Sequence, residues 1–184
     1  MHFIWVMAMD RELRILMLED NPADAEIIQF EIQEAEIAFT AKVVTDEADF
    51  IRGLQDFAPD IILSDYDLPR YNGAAALAEA KKRRPDVPFI LVTGAMTEEK
   101  AIETLTSGAR DFVMKGRLGK LAPAIRRAVE EANEHKARKE AEEEVRAASL
   151  YTRSLIEASL DPLVTISPEG KITDVNTATE EVTG

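Results

Sequence analysis

Short apolar runs alternate with longer amphipathic stretches from about residue 14 to residue 130 of the chain. The short runs are rich in Ile, Leu and Val and are bounded by turn-forming residues, which favours β-strands. The longer stretches place apolar residues three or four positions apart, which predicts helices. The five short runs are RILMLED, TAKVVT, PDIILSD, VPFILVTG and DFVMK, and each is followed by a predicted helix.

The predicted helices carry recognisable start signals. The first is expected to begin near Pro22, since proline is well suited to the first helical turn. Asp46 and Thr97 are the expected N-caps of the second and fourth helices. The positions expected to face the core are Ala25, Ile28, Ile32 and Ala35 in the first helix and Ala48, Ile51 and Leu54 in the second.

Strands that are separated by helices require crossover connections, and these produce a parallel sheet covered by helices on both faces. Five strands and five helices within this length predict an α/β fold with a flavodoxin-like, doubly wound, five-stranded parallel sheet. In such a sheet, ligands bind at the carboxyl ends of the strands.

Polar residues end four of the five predicted strands, at that same edge. Carboxylates without His or Cys suit a hard cation, so Mg²⁺ or Mn²⁺ is the predicted cofactor. A lysine is able to pair with a phosphoryl oxygen, a threonine can donate its hydroxyl, and an aspartate can act as nucleophile toward phosphorus. The residues concerned are Glu19, Asp20, Asp65, Thr93 and Lys115.

The charge and composition exclude several classes of function. The 184 residues carry a formal net charge of -13, which argues against electrostatic binding to nucleic acid or to an anionic membrane. There is no cysteine, so disulfides and thiolate metal sites are excluded. The apolar stretch in the N-terminal tail, residues 1–11, is too short to span a bilayer. We therefore expect a cytoplasmic protein without membrane contact in this part of the chain.

The motifs ILMLEDNP, DIILSDYDLPRYNG, FILVTG and DFVMKG together resemble the receiver domain of two-component response regulators, over residues 12–130. The resemblance implies that Asp65 is the phosphoacceptor and that a histidine kinase or phosphotransfer protein is the phosphodonor. It also implies that Asp20 binds the metal directly. The rest of the implied metal site is Glu19, which forms the acidic pair with Asp20, together with Asp65 and the backbone carbonyl of Asp67. The other implied roles are Thr93 and Phe112 as switch residues and Lys115 as the phosphoryl-binding lysine.

The sequence departs from the family pattern at one position. Receiver domains usually carry proline after the lysine, often with a cis bond, whereas this chain has Gly116. A cis bond that does not precede proline costs about 2.5–4 kcal/mol. The sequence leaves the isomer of the Lys115–Gly116 bond open and predicts a more mobile loop there.

Residues 131–154 are expected to form a helical, coiled-coil-like linker, because they lack glycine and proline and interleave opposite charges. Two apolar seams follow the helix, and a homodimer through this C-terminal helix is the predicted assembly. His135 lies on the helix without the neighbours of a kinase phosphoacceptor, so we expect a surface residue. The seams are Leu121, Ile125, Ala128 and Ala132, and Ala141, Val145, Ala148, Thr152 and Leu155.

Residues 155–184 resemble the opening of a PAS sensor domain, through the segments DPLVTIS, PEG and KITDVN. A PAS domain needs about a hundred residues, so we expect this segment to be an N-terminal fragment. The resemblance implies a larger sensor or hybrid histidine kinase, or a cyclic-di-nucleotide enzyme, in which the receiver signals through the linker to a PAS and output region.

Two alternatives remain open from the sequence. One is a phosphatase of similar fold with an aspartyl nucleophile, for which Asp67 would be the second acid near Asp65. The other is a pseudo-receiver that is not phosphorylated and serves as a dimerisation module. The predicted receiver itself would be a phosphoacceptor with at most self-dephosphorylation, so its status as an enzyme is left undecided.

Overall fold

The fold is described from a computed structural model that covers residues 11–69, 71–94 and 97–183. Residues 1–10 of the predicted N-terminal tail lie outside the described residues. The chain divides into two compact units, with the boundary after His135. The first unit holds the predicted receiver, and the second begins within a long helix.

The first unit contains a five-stranded sheet whose strands are all parallel. Its order is β2-β1-β3-β4-β5, so β1, β3 and β4 are internal and β2 and β5 form the edges. This arrangement confirms the predicted flavodoxin-like sheet. The strands are β1 (Leu13–Leu18), β2 (Phe39–Val44), β3 (Ile61–Ser64), β4 (Phe89–Thr93) and β5 (Asp111–Met114).

A helix follows each strand. The predicted caps are confirmed, because the side chains of Asp46 and Thr97 accept backbone hydrogen bonds at the starts of the second and fourth helices. Asn21 and Asn72 cap the first and third helices in the same way. The helices are α1 (Pro22–Glu34), α2 (Glu47–Arg52), α3 (Gly73–Arg83), α4 (Glu98–Thr106) and α5 (Leu121–Glu157).

The core lies in two layers, one on each face of the sheet. On one face Ile15 and Met17 of β1 pack with apolar residues of α1 and α5. On the other face Leu16 and Leu18 pack with residues of α2 and α3. Successive residues of a strand point to opposite faces, so a strand buried on both faces must be largely apolar. Strands β1, β3 and β4 are apolar except for Arg14 near the exposed start of β1 and for Ser64 and Thr93 at the ends of β3 and β4.

The predicted buried face of the second helix is wrong in part. Ala48 is exposed and Ile51 is only half-buried, whereas Phe50 is fully buried beside Tyr71. After Arg52 the helix continues as a π-helical turn, Gly53–Phe57. The larger apolar side chain of Phe50 fills the core, and the π-helical turn shifts the helical period, so a regular spacing of 3.6 residues does not describe this segment.

Helix α5 runs without a break for 37 residues. Its first apolar seam is not available to a second copy of the chain, because Leu121, Ile125 and Ala128 are buried in the core of the first unit. The expectation of two alternative seams is therefore wrong. Only the later seam, around Val145, is exposed.

The second unit contains a small antiparallel sheet of two strands, β6 (Val164–Ile166) and β7 (Ile172–Val175), followed by α6 (Thr177–Thr183). The fully buried side chain of Asn176 joins these elements. Its amide lies within hydrogen-bond distance of the carbonyl oxygens of Ile156, Ser159 and Asp161. Its oxygen accepts hydrogen bonds from the Leu163 amide and from the Thr179 amide and hydroxyl.

Among the described residues, no helix is both long enough and apolar enough to cross a membrane.

Candidate functional site

The candidate site lies where β1, β3, β4 and β5 end. Asp65 directly follows β3, and its amide donates to the carbonyl oxygen of Leu18 at the end of β1. The chain then turns back, and the amide of Gly73 donates to the Tyr66 carbonyl oxygen as α3 begins. The turn holds Asp65 at the sheet edge with its side chain largely buried, 10% exposed.

The two carboxylate oxygens of Asp65 have different partners. Oδ1 accepts hydrogen bonds from the backbone amides of Tyr66, at 2.6 Å, and Asp67, at 3.3 Å. Oδ2 lies 2.7 Å from Nζ of Lys115, which directly follows β5. The backbone therefore fixes the orientation of the carboxylate, and the lysine neutralises it from the other side.

Lys115 contacts three carboxylates at once. Its Nζ lies 2.7 Å from Glu19 Oε2, 2.6 Å from Asp24 Oδ2 and 2.7 Å from Asp65 Oδ2. Nζ donates hydrogen bonds to Asp24 and Asp65, and its contact with Glu19 Oε2 is an ion pair. The structure thus brings Glu19, Asp65 and Lys115 together as the sequence predicted.

Burial and charge act in opposite directions on two of these groups. Burial raises the pKa of Glu19 above its ordinary value, against the opposing effects of Lys115 and the Asn21 amide. For Lys115 burial would lower the pKa, but the hydrogen bonds with Asp24, Asp65 and Glu19 prevail and raise it. Lys115 is therefore charged across the physiological range, within a cluster that has more carboxyl groups than cations.

The other predicted acids are less enclosed. Asp20 lies shortly after β1 and Asp67 shortly after β3. Both side chains are exposed. No three His, Cys, Asp or Glu side chains in the described part of the chain form a preformed metal cluster. The acidic side chains at this edge nevertheless offer only oxygen atoms as metal ligands, and three carboxyl groups share a single ammonium. The residues therefore fit a hard divalent cation.

The predicted switch residues lie on neighbouring strands. Thr93 is fully buried at the end of β4 and pairs in register with Met114 of β5. Phe112 of β5 is half-buried and packs against the core face that contains Leu91. Their positions bring a hydroxyl and an aromatic ring to the same part of the sheet.

Sequence reasoning missed one member of the site. Asp24 stands in the first turn of α1 and reaches Lys115 across 91 positions of sequence. A helix that follows β1 must begin at the carboxyl edge of the sheet, so its first-turn side chains were a signal that could have been used. The Lys115–Gly116 bond is trans, as no cis bond occurs among the described residues. His135 has an exposed side chain, as expected.

Comparisons with known proteins agree with this geometry. Residues 15–126 match the family model of the response regulator receiver domain. A relative, the luminescence regulatory protein LuxO of Vibrio campbellii, is 31% identical over 99 residues, which are 54% of this chain and 21% of LuxO. The chain thus spans about a fifth of that relative's length.

Two solved structures share the fold. A CheY-like receiver domain from Methanospirillum hungatei has a TM-score of 0.61 at 22% identity, covering 68% of this chain and 99% of that one. The receiver domain of a signal transduction histidine kinase from Syntrophus aciditrophicus has a TM-score of 0.56 at 27% identity, covering 64% of this chain and 90% of that one. With the family model matching more than half of its length, this chain belongs to the response regulator receiver domain family.

Proposed function

We propose that this chain is the phosphoacceptor module of a two-component phosphorelay and that Asp65 is the residue phosphorylated. The observation that carries the proposal is the contact between Asp65 Oδ2 and the ammonium of Lys115, at the sheet edge where a doubly wound fold binds ligands. Receiver domains take phosphate from histidine kinases or phosphotransfer proteins, and such a protein is the proposed partner here.

The proposed reaction is an in-line displacement at phosphorus. A carboxylate oxygen of Asp65 forms the new O–P bond while the P–N bond of the donor phosphohistidine breaks. The electron pair of that bond stays on the imidazole nitrogen, which takes a proton from solvent. Lys115 stabilises the negative charge on the phosphoryl oxygens, and the Tyr66 and Asp67 amides keep the attacking carboxylate in place.

Receiver domains generally bind Mg²⁺ for phosphorylation. Here the proposed ligands are the carboxylates of Asp20 and Asp65 and the backbone carbonyl of Asp67, with Glu19 completing the acidic pair. When bound, the cation neutralises charge on the phosphoryl oxygens and on the acids. Mn²⁺ has similar ligand preferences and is the alternative ion.

In the same proposal, Thr93 donates its hydroxyl to a phosphoryl oxygen, and Phe112 changes position in response. The signal then leaves through α5, because that helix begins in the receiver core and continues as an exposed helix. We further propose that α5 pairs with its copy in a homodimer along the exposed seam Ala141, Val145, Ala148, Thr152 and Leu155.

We propose that the second unit is the opening of a PAS domain within a longer, cytoplasmic signalling protein. The support is a short antiparallel hairpin after a long helix, followed by a further helix, in the order that the resemblance predicts. A hybrid histidine kinase and a cyclic-di-nucleotide enzyme are the two proposed classes of output.

The test is to incubate the chain with Mg²⁺ and acetyl phosphate and to follow its intact mass. We expect a mass increase of one phosphoryl group in the wild type and none in Asp65→Asn. Asp56→Asn, which changes an exposed aspartate elsewhere in the same unit, is the matched control and should be phosphorylated. A wild type that gains no phosphoryl group, or an adduct that persists in Asp65→Asn, would overturn the proposal.

A further inference from the structure

Asp24 contacts the ammonium of Lys115 together with Glu19 and Asp65. Its Oδ2 lies 2.6 Å from Nζ, which is as close as the contact that Nζ makes with Asp65 Oδ2. The side chain of Asp24 is 31% exposed, so it lies at the mouth of the site rather than in its interior. Asp24 is therefore a charged contact of the catalytic lysine that the proposed chemistry does not use.

The contact matters because the N–H donors of Lys115 are limited to three. In the unphosphorylated chain Nζ donates hydrogen bonds to Asp24 and Asp65 and lies within ion-pair distance of Glu19. A phosphoryl group on Asp65 brings oxygens with more negative charge, which also need an N–H donor from Lys115. The phosphoryl oxygens therefore compete for the ammonium with the carboxylates that already contact it.

The three carboxylates differ in how readily they release the lysine. Glu19 is almost fully buried, so losing its cation would leave a buried carboxylate without compensation. Asp65 carries the phosphoryl group itself. Asp24 is the most exposed of the three, and water can replace the lysine as its partner at the lowest cost. The competition for Lys115 is therefore between Asp24 and the phosphoryl group.

We propose that Asp24 is a positioning residue that competes with the phosphoryl group for Lys115 and so limits phosphorylation of Asp65. This inference rests on the proposed function. Asp24 acts in two ways in the same direction: it stabilises the unphosphorylated arrangement of the lysine, and its negative charge repels an approaching phosphodonor. Removing the charge should make phosphorylation faster and the adduct longer-lived.

A different role for Asp24 has to be distinguished. An aspartate in the first turn of a helix is favourable because it lies near the positive end of the helix dipole, and this alone could account for its presence. That role predicts a change in the stability of the fold but none in the handling of the phosphoryl group. A second possibility, that Asp24 is a metal ligand, predicts weaker Mg²⁺ binding and slower phosphorylation when it is replaced.

The test compares three variants with the wild type, each as the full chain with Mg²⁺ and acetyl phosphate. Asp24→Asn keeps the size of the side chain and removes its charge, and Asp24→Glu keeps the charge. Glu26→Gln removes one negative charge from an exposed position of the same helix and is the matched control. The measurements are the phosphorylation rate, the adduct half-life after removal of the donor, the Mg²⁺ dissociation constant and the thermal unfolding midpoint.

We expect Asp24→Asn to be phosphorylated about fivefold faster than the wild type, with an adduct half-life longer by a similar factor. Asp24→Glu should return both values to within about twofold of the wild type, and Glu26→Gln should leave them unchanged. Equal rates in Asp24→Asn and the wild type, with only the unfolding midpoint changed, would leave Asp24 a purely helix-stabilising residue and overturn the inference.

Other outcomes are equally decisive. Slower phosphorylation of Asp24→Asn together with weaker Mg²⁺ binding would make Asp24 a metal ligand, and an equal acceleration in Glu26→Gln would reduce its role to a general charge effect. Both results overturn the inference while leaving the proposed function intact. If the wild type is not phosphorylated at all, the proposed function is contradicted. The inference, which rests on it, is then contradicted as well.

Discussion

A side chain at Gly73 would collide with the backbone of Asp65. A Cβ atom at this glycine would lie 2.7 Å from the Asp65 carbonyl oxygen and 2.8 Å from a methyl group of Leu91. These distances are shorter than a normal non-bonded contact, and one of the two obstacles is backbone that is fixed by the sheet. The start of α3 is therefore packed directly against the segment that presents the proposed phosphoacceptor.

Gly73→Ala should lower the free energy of unfolding by about 1–3 kcal/mol, because the new methyl group must displace either the Asp65 backbone or the start of α3. Chemical denaturation measures the effect. Gly119→Ala is the control, since a Cβ at Gly119 meets no atom within 4 Å. Equal stability of the two variants would show that the turn accommodates the methyl group without loss of stability.

Tyr71→Phe should leave stability at neutral pH unchanged or slightly increase it. The Tyr71 hydroxyl is buried and has no hydrogen-bond partner among the described residues, so removing it relieves an unsatisfied polar group. The control is Tyr151→Phe, at an exposed position of α5. A clear loss of stability in Tyr71→Phe would mean that the hydroxyl has a partner, such as a bound water.

The same residue predicts a pH dependence. Burial, together with the nearby charges of Glu47 and Glu79, raises the pKa of Tyr71 to about 12. Because the pKa of Tyr71 is higher in the folded chain than in the unfolded chain, the tyrosine ionises first in the unfolded chain. The free energy of unfolding is therefore at its full value below about pH 10 and falls as the pH rises toward 12. Tyr71→Phe should remove this part of the decline, on the order of 1 kcal/mol. Wild-type and variant stabilities that fall in parallel between these pH values would contradict the prediction.

Asn176→Ala should open the second unit and leave the first intact. The side chain of Asn176 hydrogen-bonds to the chain before β6 and to the start of α6, and its loss leaves several buried backbone groups without partners. Hydrogen exchange should become at least about tenfold faster for the amides of β6 and β7. Amides of β1 and β3 should be unaffected, and Asn133→Ala, at an exposed position of α5, should change neither region. Unaltered protection in β6 and β7 would show that the other contacts of the hairpin suffice.

Ala148→Arg should weaken the proposed homodimer, because it places a charged side chain on the exposed seam of α5 that includes Val145 and Leu155. Light scattering across a concentration series measures the effect, and about a tenfold increase in the dimer dissociation constant is expected. Ala147→Arg introduces the same side chain one position away, off the seam, and is the matched control. A monomeric wild type at high micromolar concentration would remove the dimer from the proposal.

Much of the fold could be predicted from the sequence because the sheet is buried on both faces. The central part of such strands, for example Ile61 to Leu63 of β3, must then be apolar, and the polar residues that follow mark the site edge. This is why the sequence alone predicts that Asp65 and Lys115 lie in the same site. The pattern of α1 could also be predicted, since Ala25, Ile28 and Ile32 repeat at a regular helical spacing.

Other features depend on packing that no local pattern contains. The buried face of α2 follows from the size of Phe50 and from a π-helical turn, which periodicity cannot indicate. Asp24 resembles any acid near a helix start until the sheet brings Lys115 beside it. Leu121 and Ile125 have the spacing of a coiled-coil seam, and only the tertiary fold shows that the sheet already covers them.

The long sequence separation within the site has a consequence for synthesis of the chain. Lys115 is separated from Asp24 by 91 positions and from Asp65 by 50, so the cation is made long after the acids that it neutralises. A nascent chain that has only β1 to β4 outside the ribosome therefore has Glu19, Asp24 and Asp65 without the ammonium that contacts them in the complete fold. The emergence of β5 at once supplies the last strand and the missing positive charge. Under the proposed function, a chain that lacks β5 therefore also lacks the lysine that would contact the phosphoryl group.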